Sequence, residues 1–250
     1  MQIIDVDSLD DLRDVERVLH SVWDAPGGHP PVTLDLLRAF QHLGGHVCAA
    51  VVEDVAVAAS VAVPAGEPGV LYSILTGVAA EHAGQGIGRR IKLHQRSSAA
   101  RLGYDHIRWT FDPLVRHNAR FNLRTLGARV VGYEPDFFGP LTDAFNAGAP
   151  TDRLVVDWPI TTGVLGLPVG PGPRVEVVET GPDDEPAVVT DHEHTWIRVP
   201  DDIVALRGSS RTEAARWTQT ARTHLAPAAR RQAVAGLSAD GWFVLEGRTA

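Results

Sequence analysis

The segment Ala83-Gly84-Gln85-Gly86-Ile87-Gly88-Arg89-Arg90 constrains this chain more than any other. The apolar run before it, Val70-Leu71-Tyr72-Ser73-Ile74-Leu75-Thr76-Gly77-Val78, reads as a strand. The residues after it, Ile87-Gly88-Arg89-Arg90-Ile91-Lys92-Leu93-His94-Gln95, read as a helix. Glycine tolerates a left-handed backbone, and glycines between a strand and a helix let N–H groups converge at the helix's positive end. That arrangement holds phosphate, so the segment points to a nucleotide-containing ligand. The blander reading is an ordinary turn in an α/β protein. Arg89 and Arg90 favour the ligand, because cations in a first helical turn oppose the helix dipole.

With 250 residues, 44% apolar and 22% charged, the chain can bury one large core or two small ones. A net charge of −8 without a long basic run argues against nucleic acid or an anionic membrane as partner, so an anion must be held locally. No apolar stretch is long enough for a bilayer, and the start of the chain lacks a signal-peptide pattern; the expected location is cytoplasmic. The basic residues are almost all arginine, with Lys92 the one lysine, which at this level reads as coding bias. The one cysteine, Cys48, rules out an intrachain disulfide and reads as a buried strand residue rather than a nucleophile.

Hydrophobic spacing sets out the rest. A strand is expected at 2–6 and a helix through Leu9, Leu12, Val15, Val18 and Leu19, capped by Ser8. A second helix, with Thr33 as its expected cap, carries Leu34, Leu36, Leu37 and Phe40 and stops before Gly44-Gly45. Strands at 46–52 and 55–63 flank a tight turn at Glu53-Asp54. The helix after the glycines is expected to present Ile87, Ile91, Leu93, Ala99, Ala100 and Leu102 and to end at Gly103. Then follow a strand at 105–111, a helix at 114–126, strands at 128–133 and 152–158, and an irregular segment at 134–151. The Gly/Pro-rich stretch 161–173 reads as a linker, with a domain at 1–160 before it and a smaller α+β extension at 174–250 after it. The extension is expected to hold strands at 174–179, 194–199 and 241–246, a short helix from Pro200-Asp201 and a longer one over 211–234.

This order of elements, with Ala83-Gly84-Gln85-Gly86-Ile87-Gly88 after the fourth strand, resembles the GNAT superfamily of acyl-CoA-dependent N-acyltransferases. Asn118-Ala119-Arg120-Phe121-Asn122-Leu123-Arg124-Thr125-Leu126-Gly127-Ala128 looks like that family's later helix. Trp109-Thr110-Phe111-Asp112-Pro113-Leu114 resembles an uncharacterised subgroup of predicted GNAT acetyltransferases with a C-terminal extension. The resemblance implies an α/β fold with a mixed central sheet flanked by helices. It also implies acetyl-CoA or another acyl-CoA as cosubstrate, without a metal, and transfer of a small acyl group to a primary amine of a small metabolite by direct attack. Backbone N–H groups of Gly84, Gln85, Gly86, Ile87, Gly88 and Arg89 would hold the pyrophosphate. Thr76, Gly77 and Val78 would pair with pantetheine as a strand edge, and Asn118 would touch the middle of the cofactor. A homodimer is compatible with this reading.

The chemistry is less clearly assigned. Many relatives of the family it resembles offer a Tyr as the thiolate's acid one turn before the later helix's closing Gly, where this chain has Leu123, and a Glu as the base on the fourth strand, where it has Tyr72, Ser73 and Thr76. Ala83 replaces the usual Gln or Arg. Tyr72, Ser73, Asp112 and Asn122 are the candidate catalytic residues, each with an ordinary packing, capping or turn role as its alternative. Tyr72 and Ser73 point to opposite sides of their strand, so only one can face a cleft. His117 reads as a surface residue. Arg108, Arg116 and Arg120 are the candidate anion clamps, with a solvated charge the preferred reading of each. His192 and His194 lack an evident third ligand, so a solvated strand edge is expected rather than a metal site. Trp217 and Arg222 are expected to serve packing and a salt bridge. The departures motivate a second hypothesis, a noncatalytic acyl-CoA-binding or structural module.

Overall fold

The computed structural model describes residues 1–23, 31–141, 143, 145–160, 187–190 and 192–246. The stretch 161–173 and the strand expected at 174–179 lie outside them. The described chain forms two compact units, divided within two strands: one comprises Met1–Trp109 and Trp158 to Ile160, the other Thr110–Asp157 and the described residues from Ala187 onward.

The first unit begins with β1 (Gln2–Asp5), α1 (Leu9–Val22), α2 (Leu34–His42), β2 (His46–Val52), β3 (Val55–Pro64), β4 (Val70–Val78), α3 (Ile87–Arg101) and β5 (His106–Phe111). Ser8 caps α1 by accepting from the Asp11 N–H at 3.1 Å. Thr33 precedes α2 without a side-chain cap bond. Glu53 and Asp54 both take positive φ, 49° and 63°, as a two-residue hairpin turn requires. The strands pair antiparallel from β1 through β4, and β5 joins β4 in parallel. With β6 (Arg129–Glu134) and β7 (Arg153–Pro159) the mixed sheet has seven strands in the order β1-β2-β3-β4-β5-β7-β6.

Both faces of this sheet are covered, which is why β2 and β3 are apolar without alternation. One face carries Val47, Ala49, Ala59 and Val61 against Leu12, Val15, Val18, Leu19 and Leu37 of the first two helices. The other carries Cys48, Ala50, Val57 and Ala58 against Ile87 and Ile91 of α3. Cys48 is fully buried, and burial pushes its thiol up to about 12, so it is inert.

The second unit contains β8 (Val188–Thr190), β9 (His194–Arg198), α5 (Ile203–Ser209), α6 (Arg211–Thr220), α7 (Ala226–Arg230), β10 (Val234–Leu237) and β11 (Trp242–Glu246). Its four strands pair antiparallel in the order β10-β11-β9-β8. The expected helix at 211–234 is real as far as Arg230, with a wide i→i+5 stretch at Ala221–Leu225, but residues 231–233 turn and Val234 begins β10. The helix expected at 114–126 begins later. Asp112 accepts from the Leu114 N–H at 2.9 Å and turns the chain, one helical turn follows as α4 (Arg116–Ala119), and it widens over Arg120–Thr125.

The segment 134–151, irregular in sequence, is held by short polar side chains. Thr151 Oγ1 donates to the Gly139 carbonyl at 2.8 Å, and Asp143 Oδ1 accepts from the Phe145 and Asn146 N–H groups at 2.9 Å. Trp217 is buried, and Arg222 forms a two-pronged pair with Asp152 at 2.6 and 2.8 Å, the packing and salt-bridge roles expected of them. Tyr133 donates to the same carboxylate at 2.5 Å.

Candidate cofactor-binding and active site

The turn leading to α3 has the backbone that the glycines allow. Gly84 and Gly86 both sit at φ +75°, and Gly86 is the cap residue, without any side-chain cap bond. The Arg90 N–H is the first to bond back to Gly86, at 3.2 Å, so the N–H groups of the first turn have no helical partner. A Cβ built on Gly84 or Gly86 would meet nothing within 4 Å. These glycines are therefore demanded by backbone shape, not by packing, and the space beside their Cα atoms is open. Arg89 and Arg90 are exposed, and no acidic residue lies in the first turn.

The strand entering this turn is distorted. The register of β4 against β3 slips between Val61↔Leu75 and Ala62↔Ser73, so Ile74 is the extra residue of a bulge. On its other side β4 pairs with β5 at Val70↔His106, Leu71↔Ile107 and Tyr72↔Arg108. The pairing stops there, one residue before Ser73, while β4 runs on to Val78. The edge of β4 over Thr76, Gly77 and Val78 is thus without a β5 partner. Gly77 has a second reason to be glycine: a Cβ there would come within 2.7 Å of the Trp23 ring.

Lys92 lies where the two strands part. Its Nζ donates to Ser73 Oγ at 3.0 Å and to Gln95 Oε1 at 2.7 Å, and sits 4.2 Å from the centre of the Trp109 ring. Gln95 Nε2 in turn donates to Ser60 Oγ at 2.8 Å, which shares a hydrogen bond with Thr76 Oγ1 at 2.8 Å. Lys92, Gln95, Ser60 and Ser73 are all buried. Burial brings the Lys92 amine down to about 7. One turn later Arg96 lies 4.9 Å from the Trp158 ring and donates to the Pro159 and Ile160 carbonyls at 2.9 Å.

No family model and no curated protein matches the sequence. Solved structures do match the fold. The ribosomal-protein-S18-alanine N-acetyltransferase from Escherichia coli aligns with a TM-score of 0.53 at 14% identity, over 65% of this chain and 95% of that one. An aminoglycoside 6'-acetyltransferase type Ii aligns at 0.52 and 17%, over 65% and 99%. An aminoglycoside 6'-N-acetyltransferase complexed with coenzyme A aligns at 0.51 and 16%, over the same shares. The chain has the GNAT fold.

Within this GNAT fold the candidate residues divide between the units. Tyr72, Ser73, Thr76 and the glycine turn belong to the first; Asp112, His117, Asn118, Asn122 and Leu123 belong to the second. Tyr72 is half-buried and Ser73 buried, as their opposite directions require. Asp112 is buried among arginines: Arg207 stands 2.7 Å from its Oδ2 and Arg153 3.8 Å. The closer contact is an ion pair rather than an aligned hydrogen bond, since Asp112 Oδ2 has no hydrogen-bond partner. Asp112 is thus already committed to a cation. Asn118 is half-buried on α4, Asn122 is buried in the widened turn, and Leu123 is buried and apolar. Of the candidate clamps, Arg108 pairs with Glu67 and Arg116 with Asp201, while Arg120 is exposed.

Two clusters escaped the sequence reading. Ile87 and Ile91 are buried on α3 as their spacing requires, but Lys92, Gln95 and Ser98 are buried with them, while Ala100 and Leu102 are exposed. The glycines fix where α3 begins, yet its rotation follows from the polar partners on β3 and β4, which no local pattern reveals. The second cluster joins Asp5, His46 and His94, whose possible ligand atoms lie within 4.8 Å of one another. Asp5 Oδ1 accepts from both imidazoles, at 2.8 and 2.6 Å, and Arg101 stands 3.0 Å from Oδ2. Burial raises the Asp5 carboxyl, but the two histidines outweigh it and hold it at about 2.

Proposed function

We propose that this chain is a GNAT-type acyltransferase. It would carry an acetyl or other small acyl group from acyl-CoA to a primary amine of a small metabolite, by direct attack on the thioester. The observation that carries the reading is the open glycine cradle at the start of α3, set beside a β4 edge that β5 has left. A pyrophosphate suits the cradle: the first-turn N–H groups have no helical partner, the glycines border open space, and a helix N-terminus favours the anion. The N–H groups from Gly84 to Arg89 would hold it, with Gln85 and Gly88 in the same loop and first turn. The edge at Thr76, Gly77 and Val78 would pair with the pantetheine amides, and Asn118 would meet the cofactor's middle.

Acyl-CoA supplies an activated carbonyl when bound. The chain's part is then to place it, to offer a donor to the carbonyl oxygen, and to manage the acceptor's proton and the leaving thiolate. The named neighbours do not decide the acceptor: one acts on the alanine of a ribosomal protein, others on aminoglycosides. A small metabolite is our choice. The protein would work in the cytoplasm; no helix among the described residues is long and apolar enough to cross a membrane.

Calorimetric titration with CoA, followed by thiol release from acetyl-CoA against a panel of amines, tests the proposal. Turnover with an amine is expected. Gly86→Glu should lower CoA affinity by well over tenfold, more than about 1.4 kcal/mol, because it places a carboxylate in the phosphate cradle. Unchanged affinity in that variant refutes the placement. The buried Leu123 favours one alternative, a noncatalytic acyl-CoA-binding module; CoA binding without turnover on any amine would select it.

A further inference from the structure

We propose that Lys92 supplies, through Ser73, the proton that the departing CoA thiolate takes up. The inference rests on the acyl-CoA reading above and adds a residue to it. Three observations converge on Lys92. The first is place. Tyr72↔Arg108 is the last pair of β4 with β5, and the next residue of each strand, Ser73 and Trp109, is what the Lys92 amine touches. Lys92 therefore stands at the vertex of the parting strands, on the α3 face, where the helix start would hold the same cofactor's phosphates.

The second is composition. Lys and Arg together number 23, and Lys92 is the one lysine. Arginine serves wherever a solvated cation suffices, and the surviving lysine is 3% exposed. Burial needs no cation here. Arginine keeps its proton in proteins, whereas a buried lysine can give its proton up. The third is bonding. As an ammonium, Lys92 uses its three N–H bonds on Ser73, Gln95 and the Trp109 face; as an amine, it can accept from the Ser73 hydroxyl. Both states are satisfied without any side chain moving. The titratable group that faces it from the packed elements is Cys48 of β2, held as a neutral thiol. Burial sets the amine near 7, where donor and acceptor forms are both populated at neutral pH.

In the step, the acceptor nitrogen bonds to the thioester carbonyl carbon and releases one proton to solvent, and the C–S bond breaks. The sulfur takes the Ser73 proton, and Ser73 takes one from the Lys92 ammonium. After CoA departs, Lys92 regains its proton through Ser73. Lys92 acts through Ser73 and is in that sense a positioning residue. It fills a duty that Leu123 cannot.

Having one lysine makes the test direct. Protein labelled with [13Cε]lysine gives a single side-chain resonance. Its titration midpoint is expected near neutrality, to move by half a pH unit or more on binding CoA, and to move less with desulfo-CoA, which lacks the sulfur. An ordinary lysine midpoint, or equal responses to the two ligands, overturns the inference while calorimetry still shows CoA bound; absence of CoA binding overturns the acyl-CoA reading as well. In kinetics, Lys92→Met and Ser73→Ala should keep CoA affinity within about threefold, lose roughly 100-fold in thiol release at pH 7 and lose the pH dependence around neutrality. Ser73→Thr should restore part of the rate. A Lys92→Met protein that binds CoA and retains the wild-type pH–rate profile overturns the proposal.

Discussion

Lys92 carries a stability signature separate from its chemistry. Unfolded, it binds a proton up to about pH 10.4; folded, it holds that proton only to about 7. Between those values the unfolded chain binds more protons, so raising the pH favours the native state through this group. Wild type should gain stability relative to Lys92→Met on going from pH 6.5 to 10, by an amount of order a few kcal/mol, read by urea unfolding at each pH. A constant difference would mean that the amine is not buried in solution. This residue was the least legible in the sequence. A lone lysine in an arginine-rich chain reads as coding bias until Ser73, Gln95 and Trp109 are seen around it, and those contacts join three elements. Cys48, by contrast, was readable, because its neighbours in sequence are apolar and its strand is buried on both faces.

Among the elements, those set by local chemistry were legible: Ser8 before α1, the Glu53-Asp54 hairpin, and Gly103 after α3 at φ +83°. The bulge at Ile74 was not, because it is a matter of register with β3 and shows in no single strand. Likewise β10 went unread: the helix was expected to run to Val234, the first residue of this four-residue strand, which is defined by its hairpin pairing with β11. Two glycines of α3 allow backbone shape and ligand binding to be separated. Gly86 and Gly103 both hold positive φ and both face open space. Alanine at either should cost about 1 kcal/mol in strain, measured as a fall in urea midpoint. Only Gly86→Ala should also weaken CoA, because it alone shapes the cradle. Equal CoA affinities for the two variants would move the phosphate site away from the start of α3.

At the scale of the whole molecule, the fold was legible because strand order, helix spacing and the glycine turn agree with one another, which is what a sequence specifying one structure requires. The ionic contacts that pin distant segments were not, and they govern acid stability. Asp5 joins β1 to His46, His94 and Arg101 in the first unit. Asp152 joins Tyr133, the Asp136 N–H and Arg222 in the second. Burial raises both carboxyls, but their hydrogen bonds outweigh it and hold them below the ordinary value. For such groups the stabilisation is complete above the unfolded pKa near 3.8 and is lost as the pH falls through the folded one, about 2 for Asp5. Burial lowers His46 against a smaller opposing effect of Asp5, so below about pH 6.5 its resistance to protonation also costs stability. All three groups act in one direction, and the protein should lose stability steadily from pH 6.5 to 2. Asp5 is 42% exposed in its side chain, so solvent screening leaves it about 1 kcal/mol or less. Asp152 is 5% exposed and holds a two-pronged arginine, so Asp152→Asn should cost about 3 kcal/mol at pH 7, and the penalty should shrink as the pH falls below the ordinary carboxylate range. Urea unfolding of wild type and Asp152→Asn across that range checks it, and a penalty independent of pH would assign the effect to shape rather than to charge.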